Sequence, residues 1–215
     1  MTAVQHDVAP GARYWPVPLL RAIPTLVMGM VITFSSNHSP RVGLIVFGAT
    51  SIVGGLVIAL GSWRRLDDRS SRILGLVQGV VATVVGVLAL AFSTGALPVL
   101  VALVIGYALV TGVVESFMGL RRRGRTILSR DWTIVGVLTL VLAVVFLAVP
   151  TNIDEKFGGI EKVPGTLTSS VILVGVLGAY GALVGVFLVI QGLSLKWQPA
   201  AEPAVDTPID GAHTS

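Results

Sequence analysis

The sequence predicts an all-α, polytopic membrane protein: six transmembrane helices arranged as three parallel two-helix repeats in one bundle. Hydrophobic residues make up 53% of the 215 residues and charged residues only 12%. The mean hydropathy of +0.87 lies far above that of an ordinary water-soluble protein. Apolar runs of about 20 residues, long enough to cross the hydrocarbon core of a bilayer, recur along the chain. The sequence also aligns with itself after a fixed shift.

The apolar runs define six predicted spans. The first is interrupted by Arg21 and Pro24, but it lacks the cleavage site of a secretory signal and a second span follows at once, so we interpret it as a retained helix. Pro24 should bend this helix, either as a static kink satisfied by a neighbouring helix or as a site where a free carbonyl binds a cation or substrate. The predicted spans cover residues 17–36, 42–62, 73–93, 97–120, 132–149 and 169–195.

Arginine placement predicts the orientation of these spans. Nine arginines follow spans two and four, whereas the loops on the other side contain only Arg41, Lys156 and Lys162. By the positive-inside rule both termini are then cytoplasmic. The ratio of 12 arginines to 3 lysines suggests a bacterium with a GC-rich genome, so we expect a multi-pass protein of a bacterial cytoplasmic membrane. Four tryptophans at predicted cytoplasmic helix ends agree with this topology, since indole rings favour the headgroup level: Trp15, Trp63, Trp132 and Trp197.

The segments around the spans differ from them in composition. Residues 1–14 and 198–215 have little apolar surface to bury, and we expect both to be disordered cytoplasmic tails. Residues 15–197 form the membrane domain. The outer loop at 150–169 contains Asp154, Glu155 and Glu161 beside two lysines, with turns at Gly158-Gly159 and Pro164-Gly165, and is interpreted either as a solvated loop or as a pH-responsive lid.

An internal repeat organises the membrane domain. A shift of 58 residues places eight residues onto identical ones, and these residues cover one helix pair and its flanks. They are Phe34, Ser35, Pro40, Gly48, Gly54, Gly61, Arg64 and Arg65, which fall on Phe92, Ser93, Pro98, Gly106, Gly112, Gly119, Arg122 and Arg123. A third copy is fainter and contains an insertion in its outer loop. Because each copy holds two spans, all copies start on the same side of the membrane. The predicted repeats cover about 17–65, 72–123 and 131–195.

The repeated unit has a recognisable pattern: paired spans, with a Gly-rich second helix that ends in a short arginine cluster. Gly106, Gly112 and Glu115 form a Gly-x5-Gly-x2-Glu string, and Pro150 closes the first helix of a pair. This pattern resembles the HdeD family of small bacterial inner-membrane proteins, which are built from a short repeated domain of unknown function. The resemblance covers about residues 17 to 195. It implies a role in stress resistance, because the founding member is linked to acid resistance.

Four large polar side chains lie within the predicted spans: Arg21, Gln78, Glu115 and Gln191. Each is six residues from a cytoplasmic helix-end anchor, which places all four about 9 Å into the membrane at 1.5 Å per residue. One hypothesis pairs Glu115 with Arg21, with the two glutamines supplying hydrogen bonds, because an unpaired ion at that depth is costly. In the alternative, Arg21 extends to the interface and Glu115 reaches the arginines below it.

Small residues recur at helical spacing and predict close helix packing, since small side chains let helix backbones approach in lipid. These residues either pack helices within one chain or form a homo-oligomer face or moving seam. The candidate packing glycines are Gly48, Gly54, Gly75, Gly79, Gly106, Gly112, Gly181 and Gly185.

The sequence lacks the usual signals of catalysis. It contains no cysteine, its three histidines lie in predicted tails or a loop, and no common hydrolase, metalloprotease or nucleotide-binding motif occurs. We therefore expect no enzyme activity, no cofactor, no metal and no catalytic residue. The arginines sit in short loops, which argues against nucleic acid. The expected partners are the lipid bilayer and another copy or another membrane protein. Two hypotheses remain: a structural or stress-resistance component, and a small transporter or channel built on the polar layer.

Overall fold

Six long helices make up the membrane domain in the computed structural model, which describes residues 12–124, 128–156 and 166–197. All six are long and apolar enough to cross a membrane, which confirms the predicted all-α, six-span class. A short 3-10 turn, Ala12–Tyr14, precedes them and is called the N-terminal turn below. The helices are α1 (Pro16–Phe34), α2 (Pro40–Arg65), α3 (Arg69–Ala91), α4 (Leu97–Arg121), α5 (Leu128–Ala148) and α6 (Ser169–Lys196).

Local sequence signals set the helix ends. Proline stands in the first turn of α1, α2 and α4, where its missing N–H leaves no helical hydrogen bond unmade. Asp68 caps α3 by accepting a hydrogen bond from the Ser71 N–H at 2.8 Å. The helix ends that carry Arg64, Arg65 and Arg121 lie on the same side as the N-terminal turn, and this side is called the arginine-rich end.

The connection between α5 and α6 contains a short antiparallel strand pair, β1 (Asp154–Lys156) with β2 (Thr166–Thr168), where the sequence analysis expected only a loop. The Ser169 hydroxyl fixes the base of this pair by donating to the Pro150 carbonyl at 2.7 Å and accepting from the Ile153 N–H at 2.8 Å. Glu161 and the two predicted Gly and Pro-Gly turns lie outside the described residues.

The closest helix pairs are not the two helices of one repeat. The most extensive packing joins α2 with α3, α4 with α5, and α1 with α6. Glycines explain these contacts. A Cβ on Gly79 would lie 2.6 Å from the Gly55 carbonyl oxygen, and one on Gly181 would lie 2.9 Å from the Thr25 carbonyl oxygen. Backbones therefore touch directly within each close pair, as expected for helices in lipid.

Most of the predicted packing glycines stand at these contacts. Added Cβ atoms at six of them would meet atoms of a partner helix at 3.0 Å or less: Gly48, Gly75, Gly79, Gly112, Gly181 and Gly185. Gly106 takes no part in packing within the chain, since it is exposed and has no atom within 4 Å of an added Cβ. Gly54 differs as well, since the nearest atom is the Arg21 Cγ at 4.0 Å, so this glycine leaves room for the arginine stem.

The axis of the bundle has two different halves. Toward the end away from the arginines it is filled by apolar side chains that are almost fully buried, called the apolar half: Ile32, Leu44, Leu100, Val104, Phe146, Leu173 and Leu177. Toward the arginine-rich end the axis contains the buried polar side chains described next.

Two expectations about the arginine-rich end need correction. Residues 12–14, predicted to belong to a disordered tail, form the N-terminal turn, and Tyr14 is buried; residues 1–11 and 198–215 lie outside the described chain. Trp132 is only 5% exposed and packs edge-on against Tyr14, with ring centroids 6.1 Å apart. It therefore lies inside the bundle and not at the lipid headgroups, whereas Trp63 and Trp197 are exposed.

Candidate functional site, a buried polar cluster on the bundle axis

An ion pair lies at the centre of the arginine-rich half. The Arg21 guanidinium of α1 donates to the Glu115 carboxylate of α4 through Nη1 to Oε1 at 2.7 Å and through Nη2 to Oε2 at 3.3 Å. Arg21 is 8% exposed and Glu115 is 3% exposed. Of the two sequence hypotheses, the structure contains the one in which the charges pair. The fork of two N–H groups on two carboxylate oxygens satisfies both ions where water is scarce.

Gln78 completes the cluster from a third helix. Its side-chain Nε2 donates to the Glu115 Oε2 atom at 3.0 Å, and Gln78 itself is 1% exposed. Arg21 belongs to the α1/α6 pair, Glu115 to the α4/α5 pair and Gln78 to the α2/α3 pair. These three residues, called the polar cluster, therefore join one helix from each close pair.

Gln191 shares the site without joining the cluster. All four residues of the predicted layer line one cavity of about 20 Å³, enough for a single water-sized molecule. Among the described residues, the expected hydrogen bond from Gln191 to the ion pair is not formed. Within the described residues, the Ser62 hydroxyl on the same cavity also has no hydrogen-bond partner.

The N-terminal turn covers this cavity. Tyr14 lines it together with Trp132, and burial of the phenol raises the pKa of Tyr14 to about 12, so the hydroxyl stays protonated. Two contacts hold the turn in place: the Arg65 Nη1 donates to the Arg13 carbonyl at 2.9 Å, and the Lys196 ammonium lies 5.2 Å from the Trp15 ring centroid. The sequence did not predict this cover, because residues 1–14 have the polar composition of a tail.

A second cavity of about 20 Å³ lies on the other side of Arg21 and is lined by Thr25, Thr50, Ser51, Tyr107 and Tyr180 among others. The Tyr180 hydroxyl forms a 2.9 Å hydrogen bond with the Thr139 hydroxyl. Neither tyrosine was predicted from the sequence to line the site. Their positions could have identified them, since tyrosine in a membrane helix favours the interface and these two lie far from their helix ends.

Pro24 lies inside α1 without ending the helix. The helix continues through it from Pro16 to Phe34, and the Thr50 hydroxyl of α2 donates to the Pro24 carbonyl at 3.3 Å. One turn earlier, the Thr25 hydroxyl donates to the Arg21 carbonyl at 2.8 Å. These hydroxyls reach the carbonyls of Pro24 and Arg21, whereas the carbonyl that proline leaves without its helical N–H partner is that of Leu20, so both interpretations of Pro24 stay predictions.

The arrangement is neutral in charge and enclosed. One cation meets one anion, and the apolar half continues the axis beyond the second cavity. In the part of the chain that the structure describes, no group of three His, Cys, Asp or Glu residues is placed to hold a metal ion. The site can therefore fix the relative positions of three helices and accept a guest no larger than water in each cavity.

Comparison with known proteins identifies a family of repeats. A family model described as a short repeat of unknown function (DUF308) matches the chain twice, over residues 20–91 and 77–148. The two copies are offset by one helix pair, and both overlap the polar cluster. No curated protein and no solved structure matches the chain.

Proposed function

Since the chain belongs to the family of short repeats of unknown function (DUF308), we propose that it is a non-catalytic structural component of a bacterial cytoplasmic membrane, HdeD-like, which supports the membrane under stress such as acid. Both termini then face the cytoplasm, because the arginine-rich end would be the inner one. One observation carries the proposal: the polar cluster ties one helix from each of the three close pairs at a single enclosed point.

The filling of the axis supports a structural role over a conducting one. A pathway for ions or solutes needs hydration along its length, yet Leu100, Val104 and Leu177 in the apolar half are completely buried. The two small polar cavities flank Arg21 and lie on one side of this apolar segment. The polar cluster then acts by holding helices in register and not by moving charge.

A small transporter or channel is the second candidate, and the second cavity favours it. Arg21 separates two polar cavities, so a rearrangement of its side chain would join them. In this case Glu115 would be a proton or ion carrier, and the bundle would have to open through the apolar half during each cycle.

The test compares cells lacking the protein with cells that express the original chain or Glu115→Gln. Acid survival and proton leak are measured at matched membrane abundance of each protein. A structural role predicts that the original chain restores survival without raising proton leak. It also predicts that Glu115→Gln, at the same membrane abundance, restores survival only to the extent that the variant is folded. A leak that the original chain produces and Glu115→Gln abolishes would establish the transporter instead. Survival unaffected by the deletion would contradict the stress role.

A further inference from the structure

We propose that Arg13, Arg64 and Arg65 bind the phosphate group of an anionic phospholipid, and that this lipid keeps the N-terminal turn closed over the Arg21–Glu115 ion pair. The proposal concerns the surface where the N-terminal turn meets the end of α2. The three residues are called the arginine clasp.

Within the described residues, no acidic side chain neutralises the charges of the clasp. All three arginines are exposed, and in the described residues none forms an ion pair. The repeat supplies a contrast: Arg64 corresponds to Arg122, which forms a salt bridge with Asp68. The same position in the sequence unit is therefore paired internally in the second copy and open to an external anion in the first.

The clasp lies at the level where a lipid phosphate is found. Arg64 and Arg65 end the membrane-spanning helix α2, and Trp63 beside them is 62% exposed, as expected for an indole at the headgroup level. Guanidinium groups bind phosphate through paired N–H donors. Exposed arginines next to a membrane helix favour anionic over neutral lipids.

Binding at the clasp is coupled to the buried site by one hydrogen bond. The Arg65 Nη1 donates to the Arg13 carbonyl at 2.9 Å, so the clasp spans both α2 and the N-terminal turn. Tyr14, the next residue, is buried over the cavity that contains Glu115 and Gln191. A phosphate that binds Arg13 and Arg64 together therefore keeps Tyr14 in its buried position over this cavity.

The experiment uses the absence of cysteine in the chain. A full-length Gln191→Cys variant places one thiol in the cavity under Tyr14, and its reaction with a water-soluble maleimide reports opening of the turn. The protein is reconstituted into vesicles of phosphatidylcholine with or without phosphatidylglycerol. We expect phosphatidylglycerol to slow labelling on the order of fivefold for each arginine engaged, since each contributes about 1 kcal/mol near an anionic surface.

The variant Arg13→Gln/Arg64→Gln keeps Arg65 and its hydrogen bond, and it should lose most of this slowing, with at most about the fivefold effect of one arginine left. The control Arg123→Gln/Arg130→Gln removes the same charge elsewhere at the arginine-rich end and should retain it. The proposal would be overturned if Gln191→Cys were labelled at the same rate in both vesicle types. It would also be overturned if the control variant lost the slowing by phosphatidylglycerol to the same extent. Inorganic phosphate added to neutral vesicles should leave the labelling rate unchanged. If it slowed labelling as much as phosphatidylglycerol does, the site would bind a soluble anion and not a lipid.

A second measurement avoids the cysteine substitution. Thermal unfolding of the unmodified protein in detergent should shift upward when phosphatidylglycerol is added, and the shift should be mostly lost in Arg13→Gln/Arg64→Gln but persist in the control variant. An equal shift in all three proteins would contradict a site at the clasp.

Discussion

The two halves of the bundle axis are built from the same six helices but are held together by different interactions. In the arginine-rich half, three side chains from three close pairs meet through hydrogen bonds of 2.7 to 3.3 Å. In the apolar half, residues such as Leu100 and Phe146 fill the axis by shape alone. Because lipid is as apolar as these side chains, their burial provides packing but little driving force. The comparison indicates that the polar half fixes the position of the three close pairs relative to one another, and that the apolar half fills the space between them.

The largest effect should come from breaking the ion pair. Glu115→Gln leaves the Arg21 charge buried without a counterion, and removal of one partner of a buried pair costs about 3–5 kcal/mol. The free energy of unfolding can be measured by steric trapping in bicelles. Arg21→Met/Glu115→Gln removes both charges and keeps an acceptor for Gln78, so it should recover most of the loss. A double variant as unstable as the single one would show that the charge is not the cause.

The corresponding change in the apolar half should cost less. Phe146→Ala removes a side chain that is 1% exposed. In water-soluble cores such a substitution costs about 3–5 kcal/mol, but part of that is transfer from water, which is absent when the unfolded helix remains in lipid. We expect a loss below this range in the same steric-trapping assay. A loss equal to that of Glu115→Gln would remove the distinction between the two halves.

A smaller effect should separate two glycines that the sequence does not distinguish. Gly79→Ala places a Cβ 2.6 Å from the Gly55 carbonyl oxygen and should destabilise the α2/α3 pair by about 1–3 kcal/mol. Gly106→Ala meets no atom and should be neutral or slightly stabilising, because alanine favours the helix. Unfolding in detergent titrations would compare both variants with the original chain, and equal destabilisation would argue against backbone contact.

The smallest effect concerns the surface of the arginine-rich end. Hydrogen bonding from the Ser71 N–H, together with Arg122, lowers the pKa of Asp68 to about 2 from 3.8. Because the folded pKa is the lower one, its stabilisation is present above about pH 4 and is lost as the pH falls from there toward 2. A partly exposed pair contributes at most about 1 kcal/mol. Thermal unfolding at pH 5 and pH 2.5 should differ less in Asp68→Asn than in the original chain, and an identical difference would exclude this carboxylate.

The sequence predicted the spans and the level of the polar residues because these follow from simple lengths. A run of about 20 apolar residues crosses the bilayer, and six residues from a helix end is a fixed depth. Arg21 and Glu115 were then the available opposite charges at one height, and the structure pairs them. Their role in function remains a prediction, as do the boundaries of the repeats and the orientation of the chain.

The contacts could not be predicted where they depend on neighbours distant in sequence. The repeat groups α1 with α2, but the more extensive contact of α1 is with α6, where glycines of the two helices face each other. Gly106 and Gly112 lie six residues apart, so they point to different sides of α4 at 3.6 residues per turn. Tyr14 is held by Trp132, more than a hundred residues away, which no local composition reveals.

The close packing of α1 against α6 means that the first and last spans meet as intimately as helices joined by a short loop. The six helices therefore form a closed ring, in which each helix contacts the next and α6 contacts α1. In this chain, α6 of the third copy supplies the close neighbour of α1. A circular permutant whose new ends lie between α4 and α5 should therefore still assemble, provided that a linker spans the original ends.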